Sequence, residues 1–427
     1  MQPAGTAQPG APDRKPAPHR PRRPGRTAPA LGVATGCYAV AVSVLGTTTS
    51  LFLADAVGAG PGLIGLYFIG CAAAAVGVNL VTGQLSDRLE DRRTALAVTA
   101  LAGVVGAAVF AAARNYAAVF ATGAVLISLN DGYISQLFAY VKDFADSTGR
   151  ELTPFSSAVR SLFSVGWVVG PPAGLFLLVH LGFGPVYAGV AGLLLATAVL
   201  GRWFLPALAP PRPPVAGGPA RERRPGLRRV LATVPRRTWL LLGAVTAVNV
   251  ADQVYLIDIA LYVTRDLHRS AALAGLLAGV CAVLEIPLML LVGRFADRVG
   301  KTRLVACAVL LATAFFGLLP LAGSPAALIA LQLPNALWTA VLAGLPMVIV
   351  QREVPGGSGT ASSLHSSTFP VAQLLAGAVT GTLAARTGYR DVFWICAGLC
   401  ALAAACLLGR ALTDGTRETR ADTTTGR

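Results

Sequence analysis

Long apolar stretches alternate with short polar turns along almost the whole chain. Windows of about 20 apolar residues, the length that crosses a hydrocarbon core of about 30 Å, recur between residues 30 and 410. These windows are continuous and do not alternate every second residue, which indicates helices and not the strands of a membrane barrel. The pattern predicts twelve helices, at 30–57, 62–86, 93–113, 116–139, 154–180, 185–204, 238–264, 271–297, 302–322, 326–350, 359–385 and 389–410.

Three polar segments lie outside these helices. Residues 1–29 carry eight prolines and six basic residues without an apolar core, which predicts a disordered basic cytosolic tail and not a signal peptide. The Pro/Arg-rich stretch 205–237 predicts a cytosolic linker between an N-terminal six-helix half, 30–204, and a C-terminal six-helix half, 238–410. Residues 411–427 are predicted to form a second cytosolic tail.

The composition and the charge distribution agree with a multi-pass membrane protein. Hydrophobic residues make up 54% of the chain and charged residues 13%, and the mean hydropathy is +0.63. With both termini inside, 29 of the 35 Lys and Arg residues fall on the inner side, five fall on the outer side, and Arg160 lies within a helix. This asymmetry predicts a cytoplasmic membrane location with both termini in the cytosol. It also explains the net charge of +15 without a nucleic-acid partner.

Several kinds of chemistry find no support in the sequence. There is no phosphate-binding loop of the G-x-x-x-x-G-K-[ST] type, so direct use of ATP is not expected. All seven cysteines lie in apolar windows and lack the spacing of a zinc site. We therefore expect neither an enzyme nor a bound metal or cofactor.

A short motif follows the second predicted helix of each half. A glycine permits close approach of helices, and an aspartate at a helix end can pair with an arginine of a neighbouring helix. We expect these residues to form gating loops: Gly83, Asp87 and Arg88 in the first copy, and Gly293, Asp297 and Arg298 in the second. Two six-helix halves with such a loop are typical of parallel transporter repeats, and the chain resembles the major facilitator superfamily. The first copy departs from that pattern at Glu90 and Asp91.

Longer stretches are similar to the sugar efflux transporter family within that superfamily. They are residues 136–139, 148–151, 155–157 with Arg160, 167–172, 255–258, 261–262 and 284–287. The resemblance covers most of residues 30–410, although Asp252 stands where a neutral polar residue is expected in that family. It implies an all-α secondary transporter with the major facilitator fold that exports sugars or sugar-like compounds by alternating access, in exchange for protons. We expect it to work as a monomer in contact with membrane lipids.

Four of the ionisable residues within the predicted helices are candidates for proton coupling. They are Asp131, Arg160, Asp252 and Glu285 on the fourth, fifth, seventh and eighth helices. A charge at the membrane centre costs roughly 2.5–3.5 kcal/mol on insertion scales, so such residues usually serve a function. Asp131 and Arg160 lie at similar depths and can pair, which leaves a structural explanation open beside coupling. For Glu285 the alternative is a buried, hydrogen-bonded acid.

Sugar recognition requires neutral hydrogen-bonding groups and an aromatic surface for the face of the ring. The candidates for substrate binding are Tyr133, Gln136, Trp167, Asn249, Gln253, Tyr255, Asn335, Trp338 and Gln373. Each of these residues alone is more often part of the packing. On the fifth helix, Gly166, Gly170 and Gly174 recur every fourth residue, which predicts close helix packing and resembles a motif of drug-exporting antiporters.

Two other functions compete with proton-coupled sugar efflux. The first is proton-coupled efflux of drugs or other amphipathic metabolites, which a cavity dominated by Phe, Leu and Met would favour. The second, of another class, is a receptor or scaffold that binds a partner and transports nothing. The identity of the substrate and the direction of flux do not follow from the residues themselves.

Overall fold

A computed structural model describes residues 24–86, 91–148, 152–208, 234–354 and 364–425. Within these ranges, side-chain surroundings are described everywhere except at 24–26, 79–86, 146, 152–158, 160 and 409–425. Most of the predicted N-terminal tail and linker, and the loop residues Asp87 and Arg88, lie outside the described residues.

The N-terminal half contains six membrane helices. We label them α1 (Pro24–Leu51, continued by the π-helical turn Phe52–Ala56), α2 (Pro61–Ser86), α3 (Arg92–Ala112), α4 (Tyr116–Thr122, Gly123–Ile127 and Ser128–Thr148), α5 (Leu152–Leu181) and α6 (Phe183–Val199 and Leu200–Phe204).

The C-terminal half repeats this arrangement. Its helices are α7 (Arg236–Leu261, continued by the π-helical turn Tyr262–Asp266), α8 (Ala271–Val299), α9 (Lys301–Leu318 and Leu319–Leu321), α10 (Pro325–Ala330, Gln332–Leu342 and Leu345–Glu353), α11 (Leu364–Thr387) and α12 (Tyr389–Thr425). The π-helical turns that end α1 and α7 occupy equivalent places, as expected for two copies of one unit.

The prediction of an all-α protein with twelve membrane helices in two halves is confirmed, since twelve described helices are long and apolar enough to cross a membrane. The largest differences concern three helices. Helix α12 runs to Thr425, fifteen residues past its predicted end at 410, so most of the predicted tail 411–427 is helical. Helix α4 runs to Thr148, nine residues past its predicted end at 139, and Tyr140 and Phe144 on this extension are fully buried. Helix α10 is interrupted near Leu331 and Gly344, whereas the sequence predicted one continuous helix. Tertiary packing of Tyr140 and Phe144 stabilises the extension of α4, which composition alone did not reveal.

The two halves meet along three helix pairs: α1 with α7, α2 with α11, and α5 with α8. Within the N-terminal half, α1 packs on α5 and α3 packs on α6. Within the C-terminal half, α12 packs on α7 and α9. The helix pairs between the halves surround the space in which a substrate of a transporter of this architecture is bound.

The halves are in close contact at one end, which we call the closed end. Gly65 of α2 touches the backbone of α11 so closely that a Cβ atom would overlap Gly381 Cα and the Gly377 carbonyl oxygen. Gly275 of α8 similarly lies against the backbone of Pro171 on α5. Small residues at these positions let the helix backbones approach one another.

The opposite end, where α1 begins, differs in the exposure of α8. Most side chains of α8 between Ile286 and Val299 are exposed, and Leu290 is 74% exposed. Leu288, Val292 and Ala296 are less exposed, and because they are spaced by four residues they form the one face by which this part of α8 contacts the protein. We call this end, where α1 begins, the open end.

Candidate substrate-binding and coupling site

A cavity of about 280 Å³ lies between the halves. One wall comes from α5 of the N-terminal half, and the others come from α7, α8, α10 and α11. Seven of the residues selected from the sequence line it: Trp167, Asn249, Asp252, Tyr255, Glu285, Asn335 and Trp338. Folding therefore brings together candidates that lie far apart in the chain.

Helix α7 contributes Asn249, Asp252 and Tyr255, which share one helix face because they are spaced by three residues. The Asn249 amide nitrogen Nδ2 donates a hydrogen bond to Thr368 Oγ1 of α11 at 3.1 Å. The Tyr255 hydroxyl donates to Gln332 Oε1 of α10 at 3.4 Å. These two bonds tie α7 to its neighbours and fix polar groups at the cavity wall.

Two carboxyl groups line the cavity from the C-terminal half. Asp252 of α7 and Glu285 of α8 both line it, are both half-buried, and lie close enough for their charges to interact. Within the described part of the chain, neither carboxylate forms a hydrogen bond or an ion pair. Pro287 follows two residues after Glu285 and cannot donate the helical hydrogen bond to the carbonyl of Val283. The site thus combines two acidic groups with a weakened turn of helix.

Helix α10 contributes Asn335 and Trp338, which are only 2% and 3% exposed. Asn335 Nδ2 donates to Gln332 Oε1 at 2.9 Å, and this bond orients the amide. Its Oδ1 atom and the indole Nε1 of Trp338 have no hydrogen-bond partner. Buried polar atoms are nearly always paired, so these two atoms are candidates for binding a molecule, but each is itself shielded from the cavity and reaches a bound molecule only when its side chain moves.

Helix α5 supplies Trp167 and Pro171 from the N-terminal half. The predicted close packing of its glycines is present, but it joins α5 to α1 within the N-terminal half. A Cβ on Gly166 would overlap Ala39, and one on Gly170 would overlap Ser43 Oγ. Ser43 Oγ also donates to the Gly166 carbonyl oxygen at 3.0 Å. The glycines therefore seat α5 on α1, and this contact positions Trp167 at the cavity.

The candidates on α4 lie elsewhere. Tyr133 is buried in the N-terminal half, where its ring stacks on Tyr38 with centroids 4.2 Å apart. Gln136 is also buried, and neither residue lines the cavity. Asp131 has an exposed side chain and lies close enough to Tyr38 to interact electrostatically with it. The side chain of Arg160 is outside the described part, so its pairing with Asp131 remains a prediction.

Three further polar residues of the C-terminal half do not line the cavity. Gln253 and Gln373 are half-buried at other faces of α7 and α11. Asp258 is fully buried near the closed end, where its Oδ2 accepts a hydrogen bond of 2.9 Å from Thr380 Oγ1 of α11. Asp258 thus connects two helices of the same half.

The second copy of the repeated motif is described in full. Asp297 forms an ion pair with Lys301, one helical turn later across Gly300, and the Arg298 guanidinium lies over the Phe295 ring at 5.9 Å from its centroid. Gly293 is exposed on α8 near the open end. In the first copy only the backbone of Gly83, within α2, is described.

The residues after the first copy form a network that sequence reasoning missed. Asp91 is the N-cap of α3 and accepts a hydrogen bond of 2.9 Å from the Arg93 backbone N–H. Arg93 also donates to the Leu205 carbonyl oxygen at 3.1 Å, and Arg92 pairs with Asp143 of α4. The departure of the sequence at Asp91 from the superfamily motif was the available signal. The contacts of Arg92 with Asp143 and of Arg93 with Leu205 join residues distant in the chain, so the spacing of residues did not reveal them.

Nine further residues line the cavity that were not selected as site residues from the sequence, among them Leu256, Cys281, Thr339 and Phe369. Cys281 lies four residues before Glu285, and Thr339 lies four residues after Asn335. A helical period applied to the chosen candidates would therefore have found both.

The geometry is that of a two-half membrane transporter with its polar site between the halves, and comparisons with known proteins agree. A family model of the Major Facilitator Superfamily matches residues 31–257 and 242–425. The chain is 34% identical over 350 residues to Sugar efflux transporter B of Salmonella typhimurium, which covers 81% of this chain and 86% of the relative. It is 34% identical over 358 residues to Sugar efflux transporter A of Escherichia coli, which covers 84% of this chain and 89% of the relative.

This chain belongs to the sugar efflux transporter family of the major facilitator superfamily. Its resemblance to that family, inferred from the sequence, is confirmed, and so is the expectation of a multi-pass membrane transporter and not an enzyme.

Solved structures share the fold of this transporter at low sequence identity. The nucleoside transporter NupG is similar with a TM-score of 0.71 and 15% identity, over 90% of this chain and 98% of that one. A bacterial homolog of the human lysosomal transporter Spinster, in an inward-facing and unoccupied conformation, is similar with a TM-score of 0.73 and 13% identity, over 90% of this chain and 96% of that one.

Proposed function

We propose that this transporter exports sugars or glycosides across the cell membrane in exchange for protons, by alternating access and as a monomer. The relatives that match over most of the chain are named sugar efflux transporters. The observation that carries the proposal is the cavity in which two carboxyl groups stand beside hydrogen-bonding and aromatic side chains. Transport of a polar solute coupled to protons needs both kinds of group in one place.

The neutral part of the cavity suits a sugar. Asn335 and Trp338 line it, and a movement of their side chains would present the unpaired acceptor Oδ1 and the unpaired donor Nε1 to a substrate. Trp167 and Tyr255 add aromatic surface from opposite halves, against which the C–H face of a sugar ring packs. A substrate held between Trp167 and the C-terminal half would be in contact with both halves, which alternating access requires.

The acidic part of the cavity suits proton coupling. Glu285 and Asp252 are within reach of a substrate in the same cavity, so binding of a proton and binding of the substrate can influence one another. Pro287 weakens α8 next to Glu285, so a change in the charge of Glu285 acts at a point where the helix can bend. We assign Asp131 and Arg160 a supporting role in the N-terminal half.

The closed and open ends support alternating access. Contacts at Gly65 and Gly275 hold the halves together on one side, while α8 is more exposed on the other side. The start of α1 lies at the open end, and most Lys and Arg residues belong to that side of the chain. By the positive-inside rule the open end faces the cytosol, so this conformation would load substrate from inside the cell.

Counterflow in proteoliposomes tests the proposal. The purified transporter should exchange a labelled glucoside without any gradient, and an imposed inward proton gradient should drive export of the glucoside. Glu285→Gln should retain exchange and lose the response to the gradient. Full gradient-driven export by this variant would refute the role of Glu285.

The same experiment separates the competing functions. Export of dyes or drugs without movement of any glucoside would establish an exporter of amphipathic compounds. Movement of no solute, together with a partner protein bound at the cytosolic linker, would establish a receptor or scaffold.

A further inference from the structure

The charge of the cavity is unbalanced. Among the described residues that line it, Asp252 and Glu285 are the charged ones, and no Lys, Arg or His side chain is present. The two carboxylates interact electrostatically and make no hydrogen bond or ion pair within the described part of the chain. Two like charges in a site shielded from bulk water repel each other strongly, and a cation between them relieves this repulsion.

The same cavity carries two buried polar atoms without partners. Asn335 Oδ1 and Trp338 Nε1 belong to side chains that are 2% and 3% exposed, and both residues form part of the wall. Both atoms are shielded from the cavity in this conformation, and a rotation of the side chains would offer an acceptor and a donor to the hydroxyl groups of a sugar. The cavity therefore offers positions for hydroxyl groups on α10 and an anionic position on α7 and α8.

Aromatic rings complete the site. Trp167 of α5 and Tyr255 of α7 line the cavity together with the two carboxylates. Tyr255 Oη is held by Gln332 at 3.4 Å, so its ring has a fixed orientation. Aromatic faces attract an ammonium group as well as the apolar face of a sugar ring. A neutral sugar uses only part of this combination, and a sugar that carries an amine uses all of it.

We infer that the site selects glycosides that bear a protonated amino group, with the ammonium between Asp252 and Glu285 and the hydroxyl groups towards Asn335 and Trp338. This inference rests on the proposed function, since it names the substrate class of the same cavity. It also simplifies the exchange of substrate and protons. An ammonium group and protons compete for the same two carboxylates, so release of the substrate leaves groups that protons then neutralise.

A matched series of ligands tests this selectivity. The series comprises methyl β-D-glucoside, its 6-amino-6-deoxy analogue and the 6-acetamido-6-deoxy analogue. The alkyl amine is charged at neutral pH, as a lysine side chain is, whereas the acetamide fills similar space without charge. In proteoliposomes without a gradient, the amine should exchange at least about tenfold more efficiently than either neutral glucoside, which is the ratio that one charge-assisted hydrogen bond supplies.

Variants assign the preference to the two carboxylates. Asp252→Asn and Glu285→Gln should each reduce the ratio of amine exchange to neutral exchange by about tenfold. Asp258→Asn, which removes a carboxylate of α7 outside the cavity, should leave the ratio as it is. Elution as a single species in detergent shows that each variant is folded.

The outcomes distinguish this inference from the proposed function. Equal exchange of all three glucosides would overturn the inference and leave sugar transport standing. Exchange of none of them would refute the proposed function itself. A preference for the amine that persists in both Asp252→Asn and Glu285→Gln would overturn the assignment to these residues.

Discussion

The carboxylate of Asp55 at the end of α1 forms an ion pair with the guanidinium of Arg265 at the end of α7. The pair joins the N-terminal half to the C-terminal half at the closed end. Both side chains are about half exposed there, so solvent screens the attraction between them. The pair exists only while the closed end is closed, and it therefore favours the conformation described above.

Loss of this pair should shift the conformational equilibrium. An exposed ion pair contributes about 0.2–1 kcal/mol, so Asp55→Asn should raise the population in which the closed end has opened by up to about fivefold. The rate of amide hydrogen exchange in peptides that cover 52–60 and 262–270 should rise in proportion to this population. The exchanged pair, Asp55→Arg with Arg265→Asp, should restore the slower rates. Unchanged exchange in the single variant would show that the pair has no role in closure.

The approach of α2 to α11 predicts a steric block. Gly65→Ala adds a Cβ that overlaps the α11 backbone, and such overpacking typically costs about 1–3 kcal/mol. Because the overlap arises only when the closed end forms, exchange of substrate should fall about tenfold or more. Gly77→Ala on the same helix is the matched control, since nothing lies within 4 Å of a Cβ there. Equal activity of the two variants would contradict the packing described.

Asp91 at the start of α3 should make the stability of the protein depend on pH. Burial raises the pKa of its carboxyl group, but hydrogen bonds from the Arg93 side chain and backbone, with the charge of Arg93, hold the pKa below its usual value. A lowered pKa means that the stabilisation is present above the unfolded-state pKa of about 3.9 and is lost as the pH falls through the folded-state value.

Asp91→Asn isolates the contribution of this charge, because asparagine is also a good N-cap. It should cost a few tenths to about 1 kcal/mol at pH 7, and the difference from the wild type should shrink towards zero at acid pH. Thermal unfolding in detergent, at pH 7 and at acid pH, measures this difference in stability. Asp91→Ala should cost about 1 kcal/mol more at each pH, because the cap is also lost. A difference independent of pH would exclude the ionic contribution.

The buried bond between Thr380 and Asp258 should stabilise the C-terminal half. Thr380→Val removes the one hydrogen-bond donor that Asp258 has in the described part of the chain, and leaving a buried acceptor unpaired costs about 1–3 kcal/mol. Thr382→Val is the control, because Thr382 is exposed and bonds only within its own helix, and it should change stability by less than about 0.5 kcal/mol. Unfolding in detergent compares the two. Equal stability would show that the Asp258 carboxyl group does not need this bond.

The sequence by itself determined the class of protein, the number of membrane helices and which residues share a face of a helix. The length of an apolar segment decides whether it crosses a membrane, and this length is a local property of the sequence. The period of 3.6 residues likewise places Asn249, Asp252 and Tyr255 on one face of α7, whatever that helix packs against. The ends of α4 and the breaks in α10 were not predicted, because packing against other helices decides them.

Only the tertiary structure decided which polar faces share a cavity. Tyr133 and Asn335 both looked like binding residues on polar helix faces, yet Tyr133 stacks on Tyr38 inside the N-terminal half while Asn335 lines the cavity. A polar stripe that faces a neighbouring helix has the same spacing as one that faces a substrate. The proximity of Asp252 to Glu285 depends on how two helices pack, and helix packing depends on residues distant in the chain that no local pattern contains.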